Sequence, residues 1–318
     1  MTASKQFAPD TVKPYRETTH STSWLLKLSE GPLWAYLLLV PSLILVCAVV
    51  LYPVADGIIL SFREMRLTRP GLGTPFVGLR QYQKLIHDPV VHTAAVNTLV
   101  WVVVGAVSQF VLGLVAALAL NRPLPGVKIA RVLVLLPWLM PSVVVAYMWN
   151  LMLDSRLGVI NDLLVRIGIL DSYKAWFADP STALLTVLVA ELWRWFPFFA
   201  LFLLAGLQAI PQELYDAAAL DGAGHWDQFR AITWPLLMPL IVAATVLRVI
   251  GLVNSPDLLI VLTNGGPGFS TQVLSLYAFQ TAYQSFNFGY AAALSVVLLL
   301  VLIVFTVAYV KASGVAKE

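Results

Sequence analysis

Six stretches of apolar residues, near 34–54, 95–120, 129–153, 181–207, 235–263 and 286–311, dominate this chain. Crossing a bilayer core about 30 Å thick takes a helix of about 20 residues, and all six reach that length. They are too long for core strands. The chain is 59% hydrophobic and 12% charged, against roughly 45–50% apolar and about 25% charged in soluble domains. The expected fold is all-α, a polytopic membrane protein with six transmembrane helices over residues 34–312. A polar tail precedes them at 1–33, its first 23 residues expected to be disordered, and a short tail follows at 313–318. The first block starts beyond that polar tail, runs too long for a signal peptide and lacks a small-residue cleavage site, so it reads as a retained span.

Six spans put both termini on one side of the membrane. Lys and Arg number ten on that side: four in the tail, three in 121–132, Arg230, and two at the C-terminal end. The other side has eight, five in 62–94 and three in 154–180. The small excess, and the concentration of Arg122, Lys128 and Arg131, favour cytoplasmic termini.

The chemistry that the chain lacks is also informative. No Gly-Lys dipeptide occurs, so there is no P-loop, and ATP-driven work would have to come from a partner. His20, His87, His92 and His225 are scattered without an HExxH pair, and no GxSxG elbow presents a serine. Cys47 is the single cysteine, so neither a disulfide nor a cysteine metal site can form within the chain. No catalytic or metal-binding residue is expected. A net charge of +3 gives no case for nucleic acid.

Ionisable residues within spans are costly and are functional candidates by default. Glu191 and Arg194 are three apart, share a helix face and can pair with each other. Arg248 lies near the middle of the fifth span without a local partner, because Asp257, nine residues on, is about 180° round the helix. These charges are either structural contacts between helices or parts of a polar pathway. Pro256, flanked by Asn254, Ser255 and Asp257, interrupts the fifth span. A kink with polar groups at membrane depth suits a substrate path, and equally a packing kink. Tyr147, Asn150, Trp193 and Trp195 either face the same cavity or serve as interface anchors and core residues.

The segment 207–239 is too polar for lipid and too patterned for a plain loop. Pro211 suits the first turn of a short helix running through Glu213, Leu214 and Asp216 to Leu220. Gly222 and Gly224 allow a tight turn. A second short helix, with Trp226, Phe229 and Ile232 on one side, leads to Pro235, which is expected to open the fifth span. The pattern fits either a docking knob or a re-entry that only anchors the span.

The sequence DAAALDGAGHWDQFRAITWPLLMP, residues 216–239, resembles the EAA loop of permease subunits in binding-protein-dependent ABC importers. The matching positions are Asp216, Ala217, Ala218, Gly222, Phe229, Ile232 and Pro235, with Asp216 for the usual Glu and Trp234 for the usual Leu. Further motifs follow in order: PSLI at 41–44, Tyr52-Pro53, Ser61-Phe62, FVGLRQY at 76–82, Asn97-Thr98, LTNGGPG at 262–268 and GYAAALS at 289–295. Together they resemble the carbohydrate-uptake permeases of the maltose, glycerol-3-phosphate and trehalose type. Pro256-Asp257 stands where that family often has Phe-Asp.

The resemblance implies a subunit of an ATP-driven sugar importer in a bacterial or archaeal plasma membrane. It implies a second homologous permease, a dimer of ATP-binding subunits, an extracytoplasmic solute-binding protein and a carbohydrate substrate as partners. ATP and Mg would be bound by the partner ATPase, with no cofactor in this chain. The loop 208–234 would be a cytoplasmic coupling helix between the fourth and fifth spans, with Asp216, Ala217, Ala218, Asp221, Gly222, Ala223 and Phe229 at the ATPase. Tyr147, Asn150, Trp193, Asn254 and Asp257 would line the substrate pathway. The alternative is an ion-coupled secondary transporter or channel, with Glu191, Arg194, Arg248 and Asp257 as relay groups. It leaves the segment 207–239 unexplained.

Overall fold

The computed structural model describes residues 32–314; residues 1–31 of the first expected tail, including the stretch expected to be disordered, and 315–318 of the second lie outside the described residues. The chain divides into two units after Asp56. The first is a helical run formed by α1 (Pro32–Val46), a π-helical turn at Cys47–Leu51 and the start of α2 (Tyr52–Ser61). The π-turn has a cause in sequence. Pro53 has no amide to donate and its ring collides with the carbonyl four residues back. Widening the preceding turn, so that the Tyr52 amide bonds to the Cys47 carbonyl, accommodates it.

The second unit holds α3 (Arg80–Ile86), α4 (Pro89–Leu120), α5 (Val127–Leu139), α6 (Ser142–Met152) and α7 (Val159–Arg166). Then come α8 (Ala183–Ala209), α9 (Gln212–Leu220), α10 (His225–Gln228) and α11 (Trp234–Asn254). The last three are α12 (Asp257–Leu262), α13 (Leu274–Tyr283) and α14 (Phe288–Ala312). Its spine is α4 against α8, and the side chains there are small because lipid supplies no hydrophobic drive for helices to associate. A Cβ on Gly113 would overlap Phe199 and the Ala200 backbone, and one on Gly206 would lie 2.7 Å from Leu237 of α11. Around this spine Trp101, Leu188, Leu252 and Leu259 form one buried cluster, and Phe199, Leu203, Leu237 and Ile241 form another.

All-helical, membrane-spanning architecture is as expected, and five helices are long and apolar enough to cross a bilayer. The third apolar block departs from a straight span. It is two helices, α5 and α6, bent by 96°, so the count reaches six only if the bent pair forms one span. Pro141 drives the break by excluding the helical region for Met140, whose ψ is 136°. The fifth span also departs from expectation. Pro235 opens nothing, because α10 continues into α11 through a second π-turn at Phe229–Thr233, in which the Trp234 amide bonds to the Phe229 carbonyl. Both π-turns end two residues before a proline, the first before Pro53 and the second before Pro235.

Candidate functional site

Two of the charged residues of the spans, Glu191 and Arg248, meet in the buried interior. Arg248 of α11 donates through Nη2 to Glu191 of α8, and through Nε to Gln109 Oε1 of α4 at 2.5 Å. Gln109 in turn donates to the Glu191 carbonyl at 3.4 Å. The indole of Trp195 lies 4.2 Å from the guanidinium carbon of Arg248. Glu191 and Arg248 are 4% and 3% exposed, so each charge depends on this partnership. Local spacing favoured Glu191 with Arg194, and the structure corrects it: the carboxylate is taken by Arg248, which had no partner within its own helix. Gln109 went unmarked because a lone amide in an apolar block carries no spacing signal. Arg194 is half-buried, with no ion pair within 4.0 Å among the described residues and an unpartnered Nε.

The break expected at Pro256 is present. Ser255 leaves helical geometry at φ −120°, ψ 84°, α11 ends at Asn254, and α12 restarts at Asp257. Asn254 and Asp257 are exposed on a cavity of about 580 Å³, shared with Ser275, Tyr283, Phe288 and Ser295. The other pathway candidates do not line it. Tyr147 and Asn150 are exposed on α6, and Trp193 packs edge-on against Trp149 with ring centroids 6.2 Å apart.

In the segment between α8 and α11, α9 has no buried residue. Asp216, Ala217, Asp221 and Gly222 are exposed, while Ala218, Ala223 and Phe229 are half-buried. The helix ends in a two-bond cap, Ala223 N–H to the Ala218 carbonyl (2.9 Å) and Gly222 N–H to the Ala219 carbonyl (3.1 Å). Gly222 sits at φ +83°, the left-handed conformation that this cap needs. The Tyr215 hydroxyl meets Thr233 Oγ1 at 2.9 Å, fastening α9 to the base of the fifth span. Leu220 is 90% and Trp226 70% exposed, with Trp226 stacked on Phe229. A cavity of about 660 Å³ joins Tyr215, Trp226 and Phe229 to Leu118 and Arg122 at the end of α4.

The far end of α4 carries polar clusters that sequence patterning missed. Asn97 donates to the Phe269 and Gln272 carbonyls at 3.1 and 3.0 Å, pinning the turn Asn264–Gln272 that runs on from the LTNGGPG motif. In that turn Asn264 and Phe269 adopt φ values of 47° and 65°. Asp88 accepts from the Tyr277 and Tyr290 hydroxyls, both at 2.8 Å, joining the start of α4 to α13 and α14. Burial pushes the Asp88 carboxyl up, but these two hydrogen bonds, with backbone ones from Val90 and Val91, outweigh it and hold the group below its ordinary value. Leu118 lies 21 residues beyond Asn97, so the turn and the α9 segment are separated by about 31 Å of helix.

Comparison with known proteins agrees with this geometry. Residues 109–315 match the family described as the binding-protein-dependent transport system inner membrane component. The chain is 36% identical over 293 residues to the trehalose/maltose transport system permease protein MalF of Thermococcus litoralis, covering 92% of this chain and 97% of that one. It is 35% identical over 289 residues to the sulfoquinovosyl glycerol transport system permease protein SmoG of Agrobacterium fabrum, covering 91% and 93%. Among solved structures, a bacterial ABC transporter involved in the import of the acidic polysaccharide alginate superimposes with a TM-score of 0.78. Its identity is 22%, over 93% of this chain and 100% of that one, a likeness of fold.

Proposed function

Because the chain belongs to the family of binding-protein-dependent transport system inner membrane components, we propose that it forms half of the pathway of an ATP-driven sugar importer. The other half would be a second, homologous permease. The observation that carries this reading is the built, exposed segment from α9 to α10. Leu220 and Trp226 are held in water by a helix cap, a stacked Phe229 and the Tyr215–Thr233 contact. Large apolar side chains presented so rigidly suit a protein partner.

In this account α9 docks on a cytoplasmic ATPase, which alone binds ATP and Mg. Asp216, Ala217 and Ala218 lie along the docked helix, Asp221, Gly222 and Ala223 form its terminal turn, and Phe229 braces the base. Movement of the ATPase reaches the fifth span without slack, because α10 and α11 are one continuous helix. Rigid-body rocking of this kind needs packed helices with two arrangements. The ATPase end would be cytoplasmic, as would the termini, in keeping with Arg122, Lys128 and Arg131 beside it. The opposite end, with the pinned Asn264–Gln272 turn, would then meet the solute-binding protein.

The printed names of the relatives support a sugar as cargo. Asn254 and Asp257 would bind its hydroxyls at the helix break, with Tyr283 and Phe288 offering aromatic faces to its apolar ones. Tyr147, Asn150 and Trp193 would contact it elsewhere on the path. Reconstitution with the ATPase, the second permease and the binding protein in vesicles tests the proposal. ATP-dependent accumulation of carbohydrate supports it, whereas accumulation driven by an ion gradient without ATP contradicts it.

A further inference from the structure

Between α6 and α8 the chain builds a firm element around one side chain. Asn161 of α7 is fully buried. Its amide donates to the Asp154 and Lys174 carbonyls at 2.9 and 3.0 Å, and its carbonyl oxygen accepts from the Lys174 amide at 3.3 Å and the Trp176 indole at 2.8 Å. So held, α7 turns apolar side chains outward. Leu157 is 85% exposed, and Val159, Leu163 and Ile167, spaced four apart on one helix face, are exposed as well. Arg156 and Arg166 stand at the two ends of this stripe.

Behind α7 lies a cavity of about 430 Å³, lined by Ile160 and Leu164 of α7, Trp149 of α6, Trp176, and Leu185 and Val189 of α8. These residues place α7 at the first turns of α8, the end of that helix opposite α9. The polar groups on the cavity wall are nearly all spent. Thr182 and Thr186 donate their hydroxyls to the Trp176 and Thr182 carbonyls. One donor is left over, the buried Trp149 indole N–H, which has no partner among the described residues. Leu185 and Val189 are themselves exposed on α8, and Leu151 on α6, so cavity and stripe continue the apolar outer surface of two spans. A water-soluble partner would cover the stripe and leave the cavity empty, whereas a lipid satisfies both. Its chain fills the apolar space, a glycerol ester carbonyl takes the indole N–H, and its phosphate meets the arginines. From this geometry we infer that α7 lies in the bilayer interface at this end of the protein and that the cavity behind it binds an acyl chain of a phospholipid. The site follows from the membrane-spanning fold and is independent of the cargo.

The test uses the full chain with the subunits that co-purify with it, in vesicles of phosphatidylcholine and phosphatidylglycerol. Cys47 is the single cysteine, so a Cys47→Ser background leaves Leu163→Cys as the one site for a nitroxide label. Paramagnetic relaxation of that label should be stronger with oxygen, which concentrates in lipid, than with a water-soluble nickel chelate. Native mass spectrometry of the unlabelled complex released from the same vesicles should find phospholipid bound. Trp149→Phe keeps a ring against Trp193 and drops the N–H, and should lower the bound fraction about fivefold, the worth of one hydrogen bond. A Leu163 label open to nickel overturns the inference, as does one shielded from both reagents, which assigns this face to another subunit. No bound phospholipid, or an equal bound fraction in Trp149→Phe, overturns the acyl-chain site. Uptake with ATP is read separately, so either failure is distinct from a failure of the importer reading.

Discussion

Glu191 of α8 is bonded to Arg248 of α11 rather than to Arg194, its neighbour one turn along the same helix. With Gln109 the pair ties three spans together in the buried interior. Removing one member of a buried pair strands the other charge, at a cost of about 3–5 kcal/mol, whereas replacing both by apolar groups is often neutral. Arg248→Met is therefore expected to lower the thermal unfolding temperature in detergent sharply. The double variant Glu191→Leu/Arg248→Met should recover most of the loss. A double variant no better than the single one would show that the pair is not a self-contained unit.

Gly222 separates strain inside the chain from fit against a partner. Any side chain there adopts φ +83°, at a cost of about 1–2 kcal/mol, but an added Cβ meets no atom within 4 Å. Gly222→Ala and Gly222→Leu should thus insert and fold alike. Transport in vesicles should weaken with alanine and vanish with leucine. Equal transport by the two variants would remove this turn from the ATPase contact.

The Asp88 cluster predicts a pH dependence. Hydrogen bonds from Tyr277 and Tyr290 outweigh burial and hold the folded-state carboxyl below its ordinary value of 3.8. The resulting stabilisation is fully present above that ordinary value and is lost as pH falls through the lower, folded value. Thermal melts across that acid range should show wild type and Asp88→Asn converging as pH falls. A constant gap would mean that the Asp88 charge contributes nothing.

The helix break predicts a separation of stability from transport. Asp257 is exposed on the cavity and has no ion pair within 4.0 Å among the described residues, so Asp257→Asn should leave the melting temperature within a few degrees of wild type. Uptake should fall at least tenfold if the carboxylate holds cargo hydroxyls. Unchanged uptake would place the sugar elsewhere.

How much of this was legible in sequence depends on the reach of each signal. Apolar blocks report burial in lipid, so the spanning helices could be read, as could the break at Pro256, where a proline acts on its own helix. Pro141 and Pro235 show the limit of that rule. One proline bends its block by 96° and the other passes within a continuous helix, because the backbone upstream of Pro235 widens into a π-turn, and a proline by itself does not say which of the two outcomes follows. The Glu191–Arg248 contact spans 57 residues and the Gln109–Arg248 contact 139. Spacing rules see three or four residues and so favoured Arg194. Asp88, Tyr277 and Tyr290 were invisible for the same reason, as was α13, which lies outside every apolar block.

The central claim is that the exposed turn after α9 docks on an ATPase. A photo-crosslinking amino acid at Leu220, which is 90% exposed, tests it directly in native membranes. The account predicts one dominant protein adduct, identified by peptide mass as a P-loop ATPase and lost in Gly222→Leu. Adducts with lipid alone, from a chain that still moves solute under an ion gradient without ATP, would contradict it.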